Sequence, residues 1–100
     1  MYLVREVFNA KPGKAKDLVK MFKAMTSYFE KSGEMKNCKV MTDATGNYWT
    51  VVFEAEVSDL GKFFTNLRNP SPPPPPEVME SMKGYMDCVE GGHREIYVLE

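Results

Sequence analysis

The closing segment "VEGGHREIYVLE", residues 89 to 100, carries His93, the one histidine of the chain, beside Arg94. A histidine can exchange a proton near neutral pH or ligate a metal, and a guanidinium can clamp a carboxylate or other anion through two parallel donors. Arg5 and Glu6 in "YLVREVFN" and Tyr48, Thr50 and Glu54 in "YWTVVFEAEV" offer comparable chemistry. Neighbours in a strand take opposite faces, so one of Arg5 and Glu6, and one of His93 and Arg94, can reach a shared space. One of His93 and Arg94 faces the open side of the sheet, and Arg94 is the preferred pocket residue. It shares its face with Ile96 and Val98, where a guanidinium needs an acidic partner or an anionic ligand. His93 shares the other face with Glu95 and Tyr97, a pattern that reads as a solvated edge. The candidate ligand-binding residues are therefore Arg94, Arg5, Tyr48, Thr50 and Glu54. The plainer reading of the same charges is a strand rim.

Other chemistries find less support. One histidine without a clustered second ligand is no metal site, and none of the eight methionines forms a close group with His or Cys. Cys38 and Cys88 lack the paired spacing of a zinc ribbon or redox dithiol, which points to free structural thiols in a reducing compartment. No Ser-His-Asp, phosphate-loop or paired-carboxylate signature occurs. No residue is assigned a catalytic role, and no cofactor or metal is expected.

Composition narrows the partners. Thirteen basic against fourteen acidic residues give a net charge of -1, which offers no electrostatic footprint for nucleic acid. No apolar run approaches the ~20 residues of a membrane span, and "MYLVREVFNA" meets a charge where a signal-peptide core would continue. A soluble, cytoplasmic chain is the expectation. One hundred residues suit one domain over 1–100 with one core.

The elements that must position the candidates follow from periodicity. "YLVREVFN" reads as a strand with one charge on each face, Arg5 beside Leu3 and Val7, Glu6 beside Val4 and Phe8. "KPGK" is a turn. From Ala15, the residues Leu18, Val19, Phe22, Met25 and Phe29 make one helical stripe, with Gly33 as the natural stop. "KNCKVMTD" and "YWTVVFEAEV" read as strands joined by "ATGN". In the second, Trp49, Val51, Phe53 and Ala55 form an apolar face expected to lie under helices, while Tyr48, Thr50, Val52 and Glu54 form the other.

"SDLGKFFTNLRN" is expected to be a short helix capped by Ser58, with Leu60, Phe63, Phe64 and Leu67 inward. "NPSPPPPP", residues 69–76, contains five successive prolines and reads as a polyproline II spacer of about 15 Å. "EVMESMKGYMDCVEGG" resumes a helix expected to end at Gly91 and Gly92, and "HREIYVLE" gives the last strand.

Strand, helix, strand, strand, broken helix, strand is the α+β order of a ferredoxin-like βαββαβ domain with a four-stranded antiparallel sheet. Right-handed crossovers place both helical regions on one face and leave the other uncovered. An open face bearing Val, Tyr and Thr is covered when two copies pair about a two-fold axis, so a homodimer is expected.

The segments "REVFNAKPGK", "YWTVVFEAEV" and "MKGYMDCVEGGHREIY", in this order, resemble the dimeric α/β-barrel superfamily, particularly its small NIPSNAP-like and antibiotic-biosynthesis-monooxygenase-like members. The resemblance spans nearly the whole chain except the proline run. It implies two ferredoxin-like protomers with facing sheets around a central space. Some relatives are cofactor-independent monooxygenases or isomerases and others bind or degrade haem. Haem ligation in that branch uses a histidine from the helical layer, which this chain lacks. The leading expectation is a protein that binds or turns over a small hydrophobic or anionic molecule in a cavity between helices and sheet or inside the dimer. The alternative is a non-catalytic structural or protein-interaction module.

Overall fold

A computed structural model describes residues 1–100. Its elements are β1 (Tyr2–Ala10), α1 (Ala15–Ser32), β2 (Lys36–Thr42), β3 (Thr50–Val57), α2 (Leu60–Arg68), α3 (Pro76–Ser81), a 3-10 turn over Tyr85–Cys88, and β4 (Val89–Val98). The strands form one antiparallel sheet in the order β2-β3-β1-β4. This is the expected α+β ferredoxin-like arrangement, with β1 and β3 central.

All helical elements pack on one sheet face. From α1, Leu18 and Phe22 are fully buried against Val51, Phe53 and Ala10, and Phe22 meets both Phe8 and Phe53 at ring-centroid distances of 5.1 Å. Each such side chain contributes ~1.5–3 kcal/mol through its removal from water. The helix follows from the apolar stripe, with Asp17 in its first turn and Lys31 in its last complementing the helix dipole. It ends at Gly33, whose φ of 83° is a left-handed conformation that favours glycine.

A second cluster forms beneath α2 from Val4, Ala55, Val57, Met35 and Phe63. The N-cap of α2 is Asp59 rather than the expected Ser58, because the Asp59 carboxylate accepts from the Lys62 backbone N–H at 3.0 Å. Phe64 and Leu67 are largely exposed, so only Phe63 of this helix is fully inward.

Residues 69–75 connect α2 to α3, and Pro76 is the first residue of α3, where a missing N–H costs nothing. The expected helical run from Glu77 to Gly92 is broken earlier, at Gly84 with a φ of 85°. Gly91 and Gly92 lie inside β4 and do not terminate a helix. Gly92 is required there because a Cβ would collide with the Val7 carbonyl oxygen and approach Phe8 Cα to 3.2 Å.

Two further readings are corrected. Trp49 and Tyr48 precede β3 and sit in the 43–49 connection, so Trp49 is half exposed instead of core and Tyr48 stands away from the sheet's open face. The connection is fixed through its backbone: Thr50 N–H donates to Asp43 Oδ1 at 2.8 Å, Thr50 Oγ1 donates to the Asn47 carbonyl at 2.7 Å, and Ala10 N–H donates to the Trp49 carbonyl at 2.8 Å.

Candidate functional site

Register decides which charges face the helices. Across β1 and β4, Val4 opposes Ile96, Glu6 opposes Arg94 and Phe8 opposes Gly92. Val4 and Phe8 lie under the helices, so Glu6 and Arg94 do too. Arg94 therefore lies on the covered side, not the open side expected for it. The apolar company of Ile96 and Val98 marks the helix-facing side of β4. The need for an acidic partner is met by Glu6: Arg94 Nε donates to Glu6 Oε1 and Nη2 to Glu6 Oε2 at 3.2 Å. The guanidinium also stands 5.8 Å from the ring centroids of both Phe63 and Phe64.

Beside this pair, between the two core clusters, is a cavity of about 160 Å³. Its apolar wall comes from Met25 and Phe29 of α1, Phe53 and Val57 of β3, and Phe63 of α2, and Glu6 reaches it from β1. The Glu6 side chain is only 12% exposed, and Glu34, Asp59, Lys62 and Asn66 add polar groups to the same lining. The sequence offers Glu6 only as the alternative to Arg5 and a cavity between helices and sheet only as one of two locations; it does not join the two or name the lining residues.

The opposite face gathers Arg5, Glu54 and Thr50 as expected, together with His93, Glu95 and Tyr97. Arg5 Nη1 donates to Glu95 Oε1 at 3.1 Å, and Arg5 Nε lies 3.3 Å from Glu54 Oε2. The second contact is electrostatic only, since Arg5 Nε finds no hydrogen-bond geometry. Tyr97 Oη donates to Glu95 Oε1 at 2.9 Å, and His93 Nε2 lies 2.7 Å from Glu95 Oε2. The His93 contact, followed by the Tyr97 hydroxyl, lowers the Glu95 pKa, and the same hydroxyl–carboxylate bond raises that of Tyr97. Beside this row lie Val7, Val52 and Met41, which are aligned across three strands.

Both cysteines are free. Burial, then the neighbouring Glu30 charge and hydrogen bond, push the Cys38 thiol up to about 11, which leaves it protonated and unreactive at neutral pH. No helix is long and apolar enough to cross a membrane.

Solved structures share this architecture. An antibiotic-biosynthesis-monooxygenase-like protein from Chloroflexus aurantiacus superposes with a TM-score of 0.71 at 12% identity, over 99% of this chain and 92% of the other. A NIPSNAP domain protein from Burkholderia xenovorans gives 0.70 at 15%, over 100% and 95%. A dimeric protein of unknown function from Bacteroides fragilis, described as ferredoxin-like, gives 0.69 at 14%, over 98% and 96%. The fold is the one these proteins share. At such identities the likeness carries the fold and no activity. No protein-family model matches the sequence, and no curated protein matches it either.

Proposed function

We propose that the chain forms one domain that pairs through its open sheet face and binds a small aromatic molecule in the cavity between helices and sheet. The observation that carries this reading is the nearly buried Glu6 side chain in the lining of a cavity whose apolar wall is Met25, Phe29, Phe53 and Phe63 and whose remaining lining includes the polar Glu34, Asp59, Lys62 and Asn66. An apolar cavity of ~150 Å³ accommodates benzene, so about 160 Å³ suits a single ring and is small for a polycyclic one. Glu6 accepts hydrogen bonds and repels anions, which selects a ring bearing an O–H or N–H donor. Arg94 is already neutralised by Glu6, and the one lysine of the lining, Lys62, is outnumbered by Glu6, Glu34 and Asp59, so an anionic ligand gains little there.

Turnover of such a ligand, as a cofactor-independent oxygenation, is the enzymatic extension of this proposal, supported by the likeness in fold to the monooxygenase-like structures. A non-catalytic interaction module is the second reading. It is favoured by the open face, where Arg5, Glu54, Glu95, His93 and Tyr97 are engaged with one another by ion pairs and hydrogen bonds.

Thermal denaturation with phenol, aniline, toluene and benzoate tests the binding reading. Phenol and aniline should raise Tm by mass action, toluene less, and benzoate not at all. Glu6→Gln should reduce the advantage of phenol over toluene, because a neutral amide oxygen is a weaker acceptor than a carboxylate. If none of the four ligands shifts Tm, the cavity is only a packing gap and the second reading stands.

A further inference from the structure

A second concavity lies at the opposite end of α1 from the cavity above. Tyr48 and Trp49 form one wall, with ring centroids 5.6 Å apart and planes tilted by 40°. Ala15, Lys16 and Val19 of α1 and the Thr42–Ala44 corner form the rest of a groove of about 530 Å³. Tyr48 is 82% and Trp49 42% exposed, a large aromatic surface left in water at a place where the backbone is pinned by hydrogen bonds. Exposed rings on a fixed backbone form a preorganised platform, and ordering them on binding carries little entropic cost.

The same chain carries a segment with matching chemistry. Pro72 to Pro76 run consecutively: Pro72 and Pro73 are exposed, Pro74 and Pro75 are half-buried, Pro75 has φ -56° and ψ 151°, the polyproline II conformation, and Pro76 opens α3. None of these prolines lines the groove of its own chain. Polyproline II helices are recognised by aromatic-lined grooves, because they are stiff before binding and their carbonyls remain free to accept hydrogen bonds. Charge adds to the match: the groove holds Lys16 and Asp43, the Asp43 carboxylate is engaged by the Thr50 backbone N–H, and Lys16 is left to meet Glu77, which directly follows the prolines.

We propose that the Tyr48–Trp49 groove binds the Pro72–Pro76 segment of a second copy of this chain. The contact uses neither the open sheet face nor the Glu6 cavity, so it joins molecules independently of the two-fold pairing. It is small and open to solvent, and the association it produces is therefore weak and dependent on concentration.

Trp49 is the chain's only tryptophan, and its emission reports occupancy directly. A synthetic peptide of residues 68–80 titrated into the full-length protein should give a saturable change in emission. A peptide with Gly and Ser in place of Pro72–Pro76 should give none. Tyr48→Ala, at an exposed position that does not threaten folding, should weaken peptide binding at least fivefold, and Lys16→Glu should weaken it less. In sedimentation velocity, the average mass should rise with concentration for the wild type but not for Tyr48→Ala or for the chain with Gly/Ser in place of its prolines. Equal emission changes with both peptides would overturn the groove assignment. A proline-dependent signal without any loss of self-association in the variants would indicate an outside proline-rich partner and overturn the second copy as occupant.

Discussion

Glu6 and Arg94 oppose each other across the β1–β4 ladder on the helix-facing side of the sheet, and the guanidinium binds the carboxylate through two nitrogens. The two side chains are unequally buried, Glu6 at 12% exposure and Arg94 at 36%. Arg94 keeps ready access to water beside Phe63 and Phe64, whereas Glu6 keeps little.

This asymmetry predicts unequal costs. Arg94→Ala strands a nearly buried carboxylate and should destabilise the fold by about 2–4 kcal/mol, while Glu6→Ala leaves a guanidinium that can turn to solvent and should cost about 1–2 kcal/mol. Replacing both by leucine should recover most of the loss. Urea denaturation of the four proteins measures this, and equal single-variant costs would mean that the carboxylate finds water in the cavity.

Gly92→Ala supplies a separate check on the register of the same ladder. The added Cβ would meet the Val7 carbonyl oxygen, a backbone atom that cannot rotate away, and should cost about 2 kcal/mol or more. Gly91→Ala, with open space around the position, should cost less than 1 kcal/mol. Similar Tm values for the two variants would place the ladder in a different register.

Alternation and helical periodicity were enough to read β1, α1, β3 and the closing strand, because those patterns are imposed by burial on one face. They could not place Trp49, because its strand parity fits a core position but β3 begins only at Thr50, where the Asp43 carboxylate takes the backbone N–H. Nor could they say which of His93 and Arg94 faces the helices. That depends on pairing register with β1, and Ile96 opposite Val4 decides it. The cavity is less legible still, since it arises where α1, α2 and β3 fail to meet and no single segment encodes it.

The Glu95 cluster predicts a pH dependence. Glu95 has its pKa lowered in the folded chain by His93 and then Tyr97, so its contribution is fully present above the unfolded-state value of ~4.3 and is lost as the pH falls through the lower folded value. Tyr97 is raised by the same carboxylate, so its contribution is present below its unfolded value of ~10 and is lost as the pH rises through the higher folded value. Stability measured by urea denaturation from pH 3 to 11 should decline at both ends. Glu95→Gln should flatten both declines together, because the Glu95 carboxylate is the titrating group at the acid end and the cause of the Tyr97 shift at the alkaline end. A change confined to the acid limb would separate Tyr97 from Glu95.

The open face predicts assembly. Only 13 of 100 residues are buried in a single chain, and Leu3, Val7 and Met41 remain partly exposed on a face that no helix covers. Pairing two such faces removes this surface from water, and light scattering at micromolar concentration should give the mass of a dimer. Val52 stands at the centre of the face but is already only 8% exposed, so a charge there would test folding as much as association. Val7→Asp is the cleaner probe: the side chain is half-buried in one copy, between Val52 and His93, and should become fully buried in the pair. An unpaired carboxylate there should shift the equilibrium towards monomer by about 3 kcal/mol or more while the far-UV CD spectrum stays that of the wild type. A strictly monomeric wild type would end the pairing proposal, and a dimeric Val7→Asp variant would move the interface off this face.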